Sequence, residues 1–307
     1  MGDPYDGILL IDKMEGDTSF DAVRKVRRVL KVKKAGHAGT LDPFATGLLI
    51  VLLGQGTKLS SYLMSAEKNY RATMRLGIET DTLDPTGRIV QTKPVTGLDA
   101  ETIRATALGF VGEIEQVPPI YSAIKHKGRR AYELARKGIS VELEKRKVKI
   151  LSLEIVSIEL PDVTMEVTCS SGTYIRSLAA DLGTKLGTGA HLKALRRLWS
   201  GPFGIKDAVN LKTMGSNALE DILKGNIIPL RDAMPHLKEV QVDDLMAKKI
   251  RNGHQPQWGI SEIENAGPEI YERNIKLVNR SSLVAIVQAR RSLDADKGAL
   301  KLLRVFH

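Results

Sequence analysis

A mixed helix-and-strand chain ending in a small β-barrel is the architecture this sequence predicts, on three observations. Several short stretches alternate apolar and polar residues, as half-buried strands do, and others space their apolar residues at the helical period of 3.6. The two patterns are interspersed up to about Pro202. Beyond it the texture changes to polar, Gly- and Asn-containing sequence, then a helix and several short strands within roughly 70 residues, as in a small β-barrel. A boundary near Pro235 to Val240 divides the chain into residues 1–235 and 236–307.

The elements follow in order. Ile8 to Ile11 reads as a short buried strand, and Thr18 or Ser19 can cap a helix with Phe20, Val23, Val26 and Leu30 inward. Leu48 to Leu53 is a second buried strand, and Tyr70 to Leu76 alternates like a third. Asp99 caps a helix through Leu108. Lys147 to Ile158 and Val163 to Cys169 pair as antiparallel strands with Pro161-Asp162 at the turn. Gly172 breaks the chain, and Ile175, Leu178, Ala179, Leu182 and Leu186 give the next helix its apolar face. In the last part, a helix around Val242 to Arg251 precedes strands at Ile275 to Val278, Leu283 to Gln288 and Leu300 to Phe306.

The 307 residues are 42% apolar and 27% charged, ordinary for a folded soluble protein. The longest apolar run, Leu48 to Leu53, is far short of the roughly 20 residues of a membrane helix. Gly7 to Ile11 stops at Asp12, too short for a signal peptide. One cysteine, Cys169, excludes an internal disulfide and a zinc site built on paired thiolates. A cytoplasmic protein without a membrane partner is expected. The net charge of +10 is segregated: residues 21–37 carry +6, 121–150 carry +7 and 191–206 carry +4, leaving −7 on all the others. Three basic runs with interleaved aromatics (Tyr121, Tyr132, Trp199, Phe203) point to a nucleic-acid partner, because neutralised phosphates release condensed counterions.

Two segments can carry chemistry. Gly36-His37-Ala38-Gly39-Thr40-Leu41-Asp42-Pro43 sets a histidine and a carboxylate in a glycine-containing loop ahead of a buried strand, and Pro43 biases Asp42 to extended geometry. By itself the stretch reads better as an Asp-Pro turn with a surface histidine. Thr-Leu-Asp-Pro recurs at Thr82 to Pro85, where the continuation Thr86-Gly87 completes a type I turn signature. Asp84 therefore reads as a turn former and Asp42 as the catalytic candidate. Ser171-Gly172-Thr173-Tyr174-Ile175-Arg176 places an arginine in the first turn of a helix, against the dipole, so an anion should compensate it. An aspartate held there would have its pKa lowered and stay ionised; the alternative is a solvent-facing arginine passing Tyr174. Ser170, Ser171 and Cys169 lack the setting of a nucleophile elbow. HExxH, P-loop, GxGxxG and paired-carboxylate signatures are missing.

Four stretches carry a resemblance: GHAGTLDPFATGLL, KNYRATMRLGIETDTLDPTG, QVPPIYSAIKHKGRRAYELAR and CSSGTYIRSLAADLG. In that order they resemble the bacterial tRNA pseudouridine-55 synthase family, from about Gly7 to Phe203, with a weaker likeness to a PUA RNA-binding module beyond. The resemblance implies an α+β fold: a mostly antiparallel mixed sheet flanked by helices, plus the small C-terminal β-barrel. It implies an enzyme that isomerises a T-loop uridine of tRNA, flipping the base and rejoining uracil to its sugar through carbon, without cofactor or metal. Carried over, Asp42 matches the nucleophilic aspartate, Arg176 its arginine partner and Tyr70 the tyrosine stacked on the target base. His37 matches the histidine that holds the splayed loop, and Tyr174 and Leu195 match residues around the flipped uridine. Residues 121–150 fall where the family has an RNA-gripping insertion, so Lys125, Arg129 and Arg130 join the substrate-binding set with Lys13. Lys13 is followed by Met14 where the family has proline, which bears on loop stiffness. Whether Asp42 attacks the sugar, attacks the base or assists elimination stays open. The expected partner is the T-arm stem-loop, bound by a monomer needing no other protein. The alternatives are a non-catalytic RNA-binding protein or tRNA-folding chaperone, and a guide-RNA-dependent synthase with protein partners.

Overall fold

The computed structural model describes residues 5–122, 124–126, 128–131, 134, 143–211, 216–255, 257–259, 274–290 and 297–307. The first part is built on β1 (Gly7–Lys13), β2 (Ala35–His37), β3 (Thr46–Leu53), β4 (Lys68–Leu76), β5 (Gly112–Gln116), β6 (Arg146–Glu159), β7 (Asp162–Cys169) and β8 (Ala190–Ser200). They belong to one mixed eleven-stranded sheet in which β1, β3, β8, β4, β7, β6 and β5 lie side by side in that order. The mixed helix-and-sheet class expected from sequence is the class observed.

β1 and β3 are continuous apolar runs because both faces of the sheet are covered there. Leu9, Ile11, Leu49 and Val51 meet Val23, Val26 and Leu30 of α1 (Ser19–Leu30) on one side. Ile8, Leu10, Leu48 and Ile50 meet Phe203, Met234 and the last part of the chain on the other. Thr18 caps α1 with a capping box: its hydroxyl accepts from the Asp21 N–H (3.1 Å), and the Asp21 carboxylate accepts from the Thr18 N–H (2.9 Å). Phe20, expected inward, is 59% exposed, because Ser19 takes the inward place at the helix start.

α2 (Ala100–Leu108) is capped by Asp99, as expected. The hairpin of β6 and β7 turns at Leu160-Pro161, one residue earlier than the sequence suggested, since Asp162 already pairs with Glu159. α3 (Ile175–Lys185) follows Gly172 and packs Ile175, Leu178, Ala179 and Leu182 onto β4, β7 and β8. β8 is antiparallel to β4 and briefly parallel to β3, where Arg197 pairs with Gly47. Gly47 has φ 102°, and a Cβ there would lie 2.3 Å from the Arg197 carbonyl oxygen, so only glycine lets β8 come this close.

After α4 (Ser216–Gly225) come β9 (Lys238–Gln241), α5 (Asp244–Arg251), β10 (Gln257–Gly259), β11 (Asn274–Asn279), β12 (Ser282–Arg290) and β13 (Lys297–Val305). Their sheet runs β9, β11, β12, β13, β10. The expected small β-barrel is not what the described residues form, because the edge strands β9 and β10 do not pair with each other. Short-strand texture does not register that difference: closure depends on the stagger between first and last strands. Among the described residues no helix is long and apolar enough to cross a membrane.

Candidate active site

Asp42 lies in the loop between β2 and β3, and the backbone on each side of it is tethered. Before it, the buried Ser19 hydroxyl accepts from the Leu41 N–H (2.8 Å) and donates to the Leu41 carbonyl (3.1 Å). After it, the Pro43 carbonyl accepts from the Gly16 N–H (2.9 Å) and from Lys13 Nζ (3.3 Å). Lys13 gives its other donors to the carbonyls of Met14 (3.0 Å) and Asp17 (2.6 Å). Lys13, one of the residues expected to bind substrate, is buried within the loop's support, and burial pulls its ammonium down to about 8.

The predicted meeting of Asp42 with Arg176 is present. Arg176 Nε stands 3.0 Å from Asp42 Oδ2 and Nη2 donates to Oδ1 at 3.2 Å. The guanidinium, 5% exposed, has further fixed partners. Nη1 donates to Asp84 Oδ2 (3.2 Å) and the Thr82 carbonyl (3.1 Å), and Nη2 to the Tyr121 carbonyl (3.0 Å). The anionic compensation expected for an arginine in a first helical turn is thus two carboxylates. The lowered Asp42 pKa expected from Arg176 is not the outcome: burial pushes the carboxyl above its ordinary value. Arg176 opposes that shift, Asp84 adds to it and Lys13 also opposes it. Asp42 nevertheless keeps 32% of its side chain open to solvent.

Asp84 is the residue sequence reasoning undervalued. It does form the turn: its carbonyl accepts from the Gly87 N–H and its Oδ1 from the Thr86 N–H (3.0 Å). The hydroxyls of Thr82 (2.7 Å) and Thr86 (2.6 Å) saturate the same oxygen. Its other oxygen braces Arg176, so both copies of Thr-Leu-Asp-Pro converge on one guanidinium. The repetition itself was the signal.

Around the pair, Tyr70, Leu195, Leu41, Phe44 and Ile175 share one apolar cluster. Tyr70 is buried, and burial pushes its phenol up while the charge of Arg197 opposes the shift. Arg197, missed in the sequence, is itself fully buried; it donates to the carbonyls of Leu48 (2.7 Å) and Gly39 (3.0 Å) and so binds the Asp42 loop to the sheet. Tyr174 is half-buried, its phenol raised by burial and within the electrostatic reach of Arg176 and Asp42. His37 ends β2 with a buried Nδ1 that has no hydrogen-bond partner among the described residues, and burial followed by Arg197 lowers its pKa. Lys125 and Arg130 face each other across a two-stranded hairpin that also holds Arg129; their side chains, and part of the 121–150 segment, lie outside the described residues. Cys169 is buried and pushed up to about 11, inert as a thiol.

Residues 27–175 match the model of the TruB family pseudouridylate synthase N-terminal domain. Residues 176–234 match that of the tRNA pseudouridylate synthase B C-terminal domain. The tRNA pseudouridine synthase B of Clostridium kluyveri is 52% identical over 248 residues, 81% of this chain and 84% of that one. That of Geobacter sulfurreducens is 42% identical over 305 residues, 98% and 100% of the two chains. Among solved structures, a chain of a Cbf5-Nop10-Gar1 complex superposes with a TM-score of 0.75 at 28% identity, covering 99% of this chain and 86% of that one. The chain belongs to the TruB family of pseudouridylate synthases. As a member it is an isomerase that converts uridine in tRNA to pseudouridine.

Proposed function

We propose that the uridine is position 55 of the T-loop and that Asp42 is the carboxylate that acts on it. The observation that carries this reading is the two-point contact of a buried Arg176 with an Asp42 whose side chain still reaches solvent. A carboxylate with both flanking residues tethered and one guanidinium behind it is aimed, yet has lone pairs left for a substrate. Burial makes it more basic than a solvated aspartate, which favours bond formation to carbon or removal of a proton.

Extruding a base from its stack costs about a few kcal/mol, and stacking on one aromatic ring returns roughly 1–3 kcal/mol. Tyr70 and Tyr174 supply that surface, with Leu195 as an apolar wall against hydrolysing water. His37 holds the splayed loop, and Lys125, Arg129 and Arg130 grip its phosphates. Lys13 supports the Pro43 carbonyl rather than touching RNA. Residues 1–235 form the catalytic unit and 236–307 an RNA-binding module of PUA type. The chain works as a monomer on the T-arm stem-loop, without cofactor or protein partner.

The test is base-resolution mapping of pseudouridine in tRNA incubated with the purified chain alone. Pseudouridine at position 55 is expected. Its appearance elsewhere, or only when another protein is added, rejects the position or the stand-alone reading respectively.

A further inference from the structure

α3 starts without a side-chain cap: Tyr174 occupies the N-cap position and its own side chain makes no capping bond. What holds this end of the helix comes from elsewhere. Gln116, the last residue of β5, is 2% exposed, and its amide bonds the Tyr174 backbone through both its oxygen and its nitrogen. Oε1 accepts from the Tyr174 N–H at 2.8 Å and Nε2 donates to the Tyr174 carbonyl at 3.0 Å. The residues just after Gln116 continue the grip. The Val117 carbonyl accepts from the Ser177 hydroxyl (2.8 Å), and the Tyr121 carbonyl from Arg176 Nη2 (3.0 Å).

We infer that Gln116 is a positioning residue for the isomerisation, setting the place of Arg176 and Tyr174 by fixing the Tyr174 backbone in both directions. Arg176 follows Tyr174 by two residues, and every nitrogen of its guanidinium has a partner within 3.2 Å. A small displacement of the helix start therefore breaks several contacts at once, and misplacing reacting groups by about 1 Å costs on the order of a hundredfold in rate. Gln116 also stands at the root of the basic 121–150 segment, so the backbone leaving the sheet toward that segment is the same backbone that clamps the arginine. The inference rests on the reading of Asp42 and Arg176 as the reacting pair.

Two substitutions test it. Gln116→Leu keeps the bulk and removes both hydrogen bonds. Gln116→Glu keeps the acceptor and regains the donor only when its carboxyl is protonated, because an ionised carboxylate would face the Tyr174 carbonyl with no hydrogen to offer. The measurements are single-turnover pseudouridine formation on tRNA at saturating enzyme, and tRNA affinity by filter retention. For Gln116→Leu the rate is expected to fall roughly 10–100-fold with affinity within about threefold. For Gln116→Glu the rate relative to the unsubstituted chain is expected to rise several-fold as the pH falls from about 8.5 to about 6, because a site this buried disfavours the ionised carboxyl. The folded fraction is followed at each pH by circular dichroism, so a rate that rises while the folded fraction stays constant excludes a role confined to stability, and the Glu variant at low pH carries the test if the Leu variant fails to fold. The inference is overturned if Gln116→Leu keeps its rate, if rate and affinity fall together, or if the Glu variant gains nothing at the lower pH. Absence of turnover in the unsubstituted chain would be a failure of the activity reading instead, seen before any variant is compared.

Discussion

The two Thr-Leu-Asp-Pro segments share four residues and a guanidinium, yet their carboxylates live differently. Asp84 is 6% exposed and saturated, with two hydroxyls and a backbone N–H on one oxygen and Arg176 on the other. Asp42 is 32% exposed and has Arg176 as its main partner. The loops are braced differently too. The Asp84 turn is held from within by Thr82 and Thr86, whereas the Asp42 loop is held from outside by Ser19, Lys13 and Arg197. A carboxylate whose lone pairs are all occupied can only position; one fixed through its backbone and left open at its oxygens can react.

Breaking the comparison at its strongest point means Asp42→Asn. The amide keeps the shape but cannot act as a carboxylate, so turnover measured by tritium release from uracil C5 is expected to vanish. tRNA affinity should stay within about tenfold, since phosphate contacts dominate it. Appreciable turnover would remove Asp42 from the reaction.

Asp84→Asn comes next. It leaves the turn but takes one of two negative charges from Arg176, and a fall of roughly 10–100-fold in rate is expected from misplacement of the guanidinium. The pH dependence gives the sign. Asp42 must be ionised, so activity is lost as pH falls through its folded-state pKa, which burial has raised. Asp84 contributes to that upward shift, so removing its charge should move the acidic limb of the rate profile to lower pH. An acidic limb that stays in place, or moves up, would mean that the two carboxylates do not sense each other.

Ser19→Ala attacks the outside brace. It deletes a reciprocal pair of bonds to Leu41 and leaves a buried N–H and carbonyl unsatisfied, which costs about 1–3 kcal/mol of stability. The rate should fall by about tenfold while affinity holds, because the backbone entering Asp42 loses its anchor. A variant that unfolds at the unsubstituted chain's denaturant midpoint and turns over at its rate would show that Lys13 and Arg197 suffice.

How much of this the sequence reveals depends on whether a signal is local. The apolar runs of β1 and β3, the Thr18 and Asp99 caps and the hairpin of β6 and β7 are written in neighbouring residues and are recovered within a residue or two. The pairing of Asp42 with Arg176 was legible only through the family likeness, since no spacing rule joins positions 134 apart. β8, the strand between β3 and β4, was missed because register shifts at Leu192/Ala194 and Arg197/Trp199 interrupt its alternation. Ser19, Gln116 and Arg197 were missed because their partners are backbone carbonyls and N–H groups, which carry no residue type to recognise. The upward shift of Asp42 was missed for a related reason: an arginine can be read in the sequence, but the protein packed around a carboxylate cannot.

The smallest effect is expected at Thr86→Val, and it separates two accounts of Asp84. Valine fills the same space but removes the hydroxyl that donates to Asp84 Oδ1 at 2.6 Å. The carboxylate keeps the Thr86 N–H, the Thr82 hydroxyl and Arg176, so one of its donors is lost and the charge on the guanidinium is unchanged. Stability should fall by no more than about 1 kcal/mol, because Thr86 is exposed and the bond is only partly buried, while turnover stays within about threefold. Denaturant unfolding and tritium release measure the two. If Asp84 matters by presenting a charge to Arg176, Thr86→Val and Asp84→Asn must differ widely in rate. If instead the turn's shape matters, the threonine variant will lose turnover nearly as far as the aspartate variant, and Asp84 will be a turn former as its sequence first suggested.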